Sequence, residues 1–165
     1  MSEAVVASRP FGSTRDSVMG GQDLVGKEYP PFTVAIEKGR IRQFAQAIGE
    51  TDPIYFDEAA AKAAGYRSLP VPPTFPFSLA MDADQPLLVL NDLGVDKTKT
   101  VHGEQSFAYH RDICVGDTIT GRQRVVEMYE KKGGALRFIV TSTRMENQAA
   151  EHVCDLRSVI VVRAG

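Results

Sequence analysis

The apolar positions of this chain change period once, and the change divides it into a helical part and a β part. Across residues 37–48, Ile41, Phe44, Ala45 and Ile48 recur at i, i+3, i+4 and i+7, which predicts one apolar stripe on a helix. Gly49 follows as the C′ residue, where a positive φ costs little. Residues 57–64 read as a second, short helix that Asp57 caps, the alanines favour and Gly65 stops. Leu69-Pro70-Val71-Pro72-Pro73 is extended, because residues before proline avoid the α region. Thr74 can then cap a third helix from Phe75 to about Ala83, with Pro76 in its first turn. Phe75, Phe77, Leu79 and Met81 make it the most apolar helix of the chain and the candidate for a buried central one.

Residues 84–98 form a connection whose Leu-Leu-Val-Leu run is either a helix end or a short strand. Beyond it β-branched residues become dense, as sheets prefer. Strands are predicted over 101–110, 118–131, 135–146 and 152–163. Turns join them at 111–117, at Gly133-Gly134 and at 147–150. Ahead of the helices, Tyr29-Pro30-Pro31 rules out a central strand over 23–34 and leaves a short edge strand or an extended segment. Residues 1–22 are rich in Ser, Gly and Arg and weakly periodic, so they read as an extension outside a single domain, 23–165. The expected class is α+β: an antiparallel sheet covered on one face by the central helix.

Composition narrows the function classes. A chain of 165 residues with 43% apolar content can bury a sizeable core. Its net charge of −2 predicts neither a nucleic-acid nor a membrane partner. The N-terminal residues lack an apolar run of about 7–15 residues, and no stretch of about 18 apolar residues follows, so a cytoplasmic protein is expected. Cys114 and Cys154 lack metal-ligand spacing and read as two reduced thiols, although spacing does not exclude a disulfide. No two histidines have zinc spacing, so no metal is expected. Without GxGxxG, P-loop or GxSxG motifs, neither nucleotide binding nor α/β-hydrolase chemistry is indicated.

The candidate chemistry gathers where the first helix stops. Gly49-Glu50-Thr51-Asp52-Pro53-Ile54-Tyr55 collects two carboxylates and a phenol within six residues. This stretch resembles the Gly-Asp-x-Asn-Pro-(Ile/Leu)-His signature of the MaoC-like dehydratases and (R)-specific enoyl-CoA hydratases. The longer run AIGETDPIYFDEAAAKAAGYRSLPVPPTF is similar to the N-terminal-type MaoC dehydratase domain. VHGEQSFAYHR and VGDTITGRQRVVE extend the likeness from about Leu24 to the C-terminus. It implies a hotdog fold, an acyl-CoA or acyl-ACP substrate, reversible interconversion of a 3-hydroxyacyl and a 2-enoyl thioester, and no cofactor. It also implies a homodimer, or a heterodimer with a catalytic hotdog subunit.

In that family the Asp and His of the signature are the catalytic pair; here Glu50 and Tyr55 hold their places. A phenol titrates near 10, against about 6.5 for imidazole, and is a poor base at neutral pH. The resemblance therefore implies a subunit that lacks the catalytic pair and shapes the acyl pocket. Glu50 and Tyr55 are its degenerate catalytic candidates. Asp52, which precedes proline and suits an Asx turn, is a substrate-binding candidate with Pro73, Thr74, Phe75 and His102. His102 and His110, eight apart, are expected on one strand face and too distant to share a ligand; His152 is expected at the surface. The alternatives are a non-catalytic acyl-CoA-binding hotdog, which would bind tightly without turnover, and an acyl-CoA thioesterase, which would release free thiol.

Overall fold

The computed structural model describes residues 23–163. The extension expected over 1–22 lies outside the described residues, as do the last two positions. Five strands form one antiparallel sheet: β1 (Phe32–Ala35), β2 (Thr100–Tyr109), β3 (Thr118–Lys131), β4 (Leu136–Glu146) and β5 (His152–Arg163). Their spatial order is β1-β3-β4-β5-β2, so β1 and β2 are the rims. Pro30 and Pro31 precede β1, which pairs only with β3, in keeping with proline's exclusion from central strands.

Four α-helices accompany the sheet: α1 (Lys38–Ala47), α2 (Glu58–Ala63), α3 (Phe75–Asp82) and α4 (Gln85–Asp92). α3 is the expected central helix. Its Phe75 and Leu79 pack with Ile41 of α1 and with Ile119, Met145 and Leu156 of the sheet. α4 carries on along the same sheet face, where Val89 and Leu90 meet Val125, Ile139 and Ile160. Even spacing within each strand (119 and 125, 139 and 145, 156 and 160) puts both sets on one face. An antiparallel sheet wrapped over a helical layer is the hotdog arrangement that the resemblance implies.

Several local expectations need correction. The Leu-Leu-Val-Leu run is neither a strand nor the end of α3 but belongs to a separate helix. Asp84, at φ 54°, closes α3, and Pro86 in the first turn of α4 starts the chain afresh. Thr74 sits at the start of α3 without a side-chain capping bond. Ile48 is 51% exposed, because it lies one step past the last turn of α1. The segment 111–117 is no hairpin turn: β2 pairs with β5 and β3 with β1 and β4, so the chain crosses from one side of the sheet to the other. The tight turns expected at Gly133-Gly134 and 147–150 are present, and Lys132, Gly133 and Gly134 supply the positive φ values of the first.

Candidate functional site

The signature stretch owes its shape to the way α1 ends. Gly49, at φ 75°, lets its own N–H reach the Gln46 carbonyl at 3.1 Å, while Glu50 N–H reaches the Ala45 carbonyl at 2.9 Å. This is the paired closure of a Schellman motif. Glu50 then turns back on its own loop, Oε1 accepting from Thr51 N–H at 2.8 Å and Asp52 N–H at 3.0 Å. Asp52 makes the expected Asx turn, accepting from Ile54 N–H at 3.1 Å and opening a 3₁₀ turn over Pro53–Tyr55. Arg42 ties the loop to α1 by donating to the Phe56 carbonyl at 2.6 and 3.1 Å. Asp57 caps α2 through Ala60 N–H at 2.8 Å.

Tyr55 faces a cavity of about 170 Å³ walled by two further phenols, Tyr66 and Tyr109, and by Pro73. Tyr109 donates to the Pro73 carbonyl at 3.1 Å. Burial, followed by the charge of Glu50, pushes the Tyr55 phenol above its ordinary range, and burial does the same to Tyr109. The hydrogen bonds from Asp52 and Thr51 N–H hold the Glu50 carboxyl below its ordinary range. At neutral pH the cavity therefore presents protonated phenols, with the Asp112 carboxyl also in its wall and Glu50 turned back on its own loop. Such a set binds a carbonyl or hydroxyl but exchanges protons poorly.

Beside it, across the Pro73-Thr74 step, lies an apolar groove of about 520 Å³ between α3 and β2, walled by Phe44, Thr74, Phe77, Met81, His102 and Phe107. A second cavity, of about 210 Å³, shares Phe77, Met81 and His102 and runs on toward Leu87, Leu90 and Ile160. The two lie in succession along the helical layer, with those three side chains between or beside them.

The structure divides the candidate residues. Tyr55 and Pro73 line the phenolic cavity, and Thr74 and His102 line the groove. Glu50 and Asp52 are engaged in their own turn. Phe75 is 2% exposed and stacks edge-on against Phe44, with ring centroids 5.2 Å apart; it belongs to the core and lines neither cavity, a correction to its placement among substrate contacts. Spacing does not mark Tyr66, Tyr109 or Phe107 as substrate contacts, since the topology alone brings them to the cavity walls, whereas Phe77 and Met81, of the residue types that build core and tunnel alike, do line the groove. The nearest signal was the phenol at each end of the Tyr55–Tyr66 stretch.

None of the three histidines lines the phenolic cavity. His102 stacks on Phe77, with ring centroids 5.0 Å apart. A bulge between His102 and Glu104 breaks the alternation of β2, so even spacing fails to give His102 and His110 the same neighbours. His110 instead meets His152, which is half-buried rather than at the surface, with centroids 4.0 Å apart. Cys114 and Cys154 are both free and buried. Among the described residues no helix is long and apolar enough to cross a membrane.

The chain matches the family described as FAS1-like, dehydratase domain region, over residues 23–156. It is 39% identical to a UPF0336 protein of Saccharopolyspora erythraea over 144 residues, covering 86% of this chain and 90% of that one. Among solved structures, it superposes on the C-terminally truncated HadBC complex of Mycobacterium tuberculosis, a (3R)-hydroxyacyl-ACP dehydratase. That match has a TM-score of 0.74 and 26% identity and covers 86% of this chain and 98% of the other. The R-hydratase PhaJ1 of Pseudomonas aeruginosa shares the fold, with a TM-score of 0.65 and 21% identity over 86% of this chain and 83% of that one.

Proposed function

Because the chain belongs to the FAS1-like dehydratase-region family and keeps the signature loop without an imidazole, we propose that it is the pocket-shaping subunit of an acyl-thioester dehydratase or hydratase. The reaction interconverts a 3-hydroxyacyl thioester, on CoA or acyl carrier protein, with its 2-enoyl form. The Asp–His pair comes from a second hotdog chain. Adding water across the double bond requires a base for the water at Cβ and a proton at Cα. Here the Tyr55 phenol, raised above its ordinary range, is a weak acid, and the Glu50 carboxylate, lowered by its two N–H donors, is a weak base, so both serve these steps poorly.

What this subunit contributes is binding. The apolar groove between α3 and β2 takes the acyl tail and keeps it from water, where each buried methylene is worth about 0.8 kcal/mol. Pro73 and Thr74 mark the step from tail to head group, and the phenols offer hydrogen bonds to the thioester end. Among the described residues β2 is a rim strand whose outer N–H and C=O groups have no ladder partner, and such a rim suits a second hotdog chain. The similar HadBC chain is part of a complex, which favours a heterodimer.

The observation that carries this reading is Tyr55 facing the cavity where the family has its imidazole. Hydration of crotonyl-CoA by the purified chain alone is the test, and no turnover is expected. Turnover at ordinary enzyme rates that Glu50→Gln abolishes would overturn the reading and establish an active homodimer.

A further inference from the structure

At the end of the sheet where β2 runs out and β5 begins, the fold assembles two imidazoles around one carboxylate. His110 Nε2 lies 2.9 Å from Asp155 Oδ2, and His152 Nε2 lies 2.9 Å from Asp155 Oδ1. The ligand atoms of all three residues fall within 4.8 Å of one another. We propose that His110, His152 and Asp155 form a binding site for a divalent transition-metal ion of the Zn²⁺ class. The site is independent of the phenolic cavity and of the apolar groove.

The donor set suits that class: two neutral imidazoles and a carboxylate are ligands for zinc and its neighbours, whereas calcium and magnesium prefer oxygen alone. Ligands at about 2.0–2.2 Å from a tetrahedral zinc stand about 3–3.5 Å apart, so the 2.9 Å approaches need only a small expansion. The ion would take the place of the proton now shared between His110 and Asp155. His152 Nε2 is buried and, despite its proximity to Asp155, has no well-directed hydrogen-bond partner. It is therefore a donor nitrogen aimed into the cluster and not satisfied there.

One neighbour opposes the ion. Arg144 Nη1 approaches His152 Nδ1 at 3.2 Å, and an imidazole that binds metal through Nε2 must carry its proton on Nδ1. The two donors would then face each other. Arg144 is half exposed and already donates to Glu146 at 2.9 Å, so it can withdraw. Glu146 pairs with His152 across the β4–β5 ladder and can accept the Nδ1 proton, the carboxylate–histidine–metal relay that second-shell groups commonly provide.

The test uses the full chain without an affinity tag, titrated with Zn²⁺ by calorimetry and with Co²⁺ by visible absorption. The chain has three histidines and two cysteines, both buried, so a competing imidazole or thiol site is easily checked. One ion per chain is expected, with a thermal shift that requires the metal. His110→Ala, His152→Ala and Asp155→Asn should each weaken binding by at least about 100-fold, since even second-shell losses cost about 10–100-fold. Arg144→Ala should tighten it by about 10-fold on the same scale, and His102→Ala should leave it unchanged. Retention of binding in the His110→Ala/His152→Ala double variant would overturn the proposal. So would the absence of saturable binding in both the wild-type and Arg144→Ala proteins, a comparison that does not depend on a fragile variant.

Discussion

Asp117 is the residue whose removal should disturb the wall of the phenolic cavity most without touching it. Its side chain is wholly buried. Oδ2 accepts from the Arg67 guanidinium and from Cys114 N–H at 2.9 Å, and Oδ1 accepts from Gln148 Nε2 at 3.1 Å. One carboxylate thus joins the segment after α2, the β2–β3 crossover and the β4–β5 turn. The first two are stitched together again by Val71 N–H to the Ile113 carbonyl and Val115 N–H to the Leu69 carbonyl, both at 2.9 Å. Asp117→Ala leaves the buried Cys114 N–H without an acceptor and removes a charge-assisted bond to the half-exposed Arg67, two losses that together cost about 3–5 kcal/mol. For a chain of this size that lowers Tm by about 6–20 °C, at about 2–4 °C per kcal/mol. Arg67→Ala should cost less, about 1–3 kcal/mol, because Arg67 is half exposed and water can replace it. Burial opposes ionisation of Asp117, but Arg67, Cys114 N–H and Gln148 prevail and hold its carboxyl below the ordinary range. A depressed folded pKa stabilises fully above the unfolded value of about 3.9 and is lost as pH falls through the folded value. Urea denaturation of wild type and Asp117→Asn should therefore show a constant gap from about pH 7 to 5 that narrows below about pH 4. An Asp117→Ala protein within about 1 kcal/mol of wild type at pH 7, or a gap unchanged at pH 3, would refute the reasoning.

Three shorter predictions follow from other parts of the structure. A Cβ at Gly121 would stand 2.2 Å from the tip of the buried Phe32 ring, so Gly121→Ala should cost about 1–3 kcal/mol in urea denaturation; a neutral result would mean that the ring moves freely. Burial pushes the Cys154 thiol up to about 12 and raises Cys114 as well, so Ellman's reagent at pH 8 should titrate neither in the native chain and both in guanidinium. Met81→Trp should fill the groove where its two cavities meet and lower the affinity for long acyl-CoA by about 10-fold or more while sparing short ones; calorimetry with two chain lengths separates these outcomes.

The sequence made the frame of the site readable and left its walls obscure. Gly49 had to stop α1 because no other residue takes φ 75° so cheaply, and Asp52 before Pro53 had to bond its own backbone. Both follow from local chemistry and both are present. The 3.6-residue period likewise locates α1, and the density of β-branched residues between turn signals locates the four long strands. Tyr66 and Tyr109 could not be seen as cavity partners, because they are 43 positions apart and only the β2–β3 crossover brings them together. The pairing of His110 with His152 was hidden for the same reason. Spacing rules for metal ligands apply along one segment, not between a strand's end and the start of its neighbour in the sheet. Phe75 shows the opposite limit: core and tunnel use the same residue types, and only burial tells them apart.

A glycine in the rim strand settles how this chain must be aligned with any relative. At Gly103 a Cβ would come within 2.9 Å of a Val161 methyl and 3.3 Å of the Val159 carbonyl, so the extra residue is tolerated only because it has no side chain. That residue acts as a phase shift: everything upstream points opposite to where a plain count from Tyr109 would send it. A homologue without the insertion, if aligned without a gap, would turn its counterpart of His102 away from the groove.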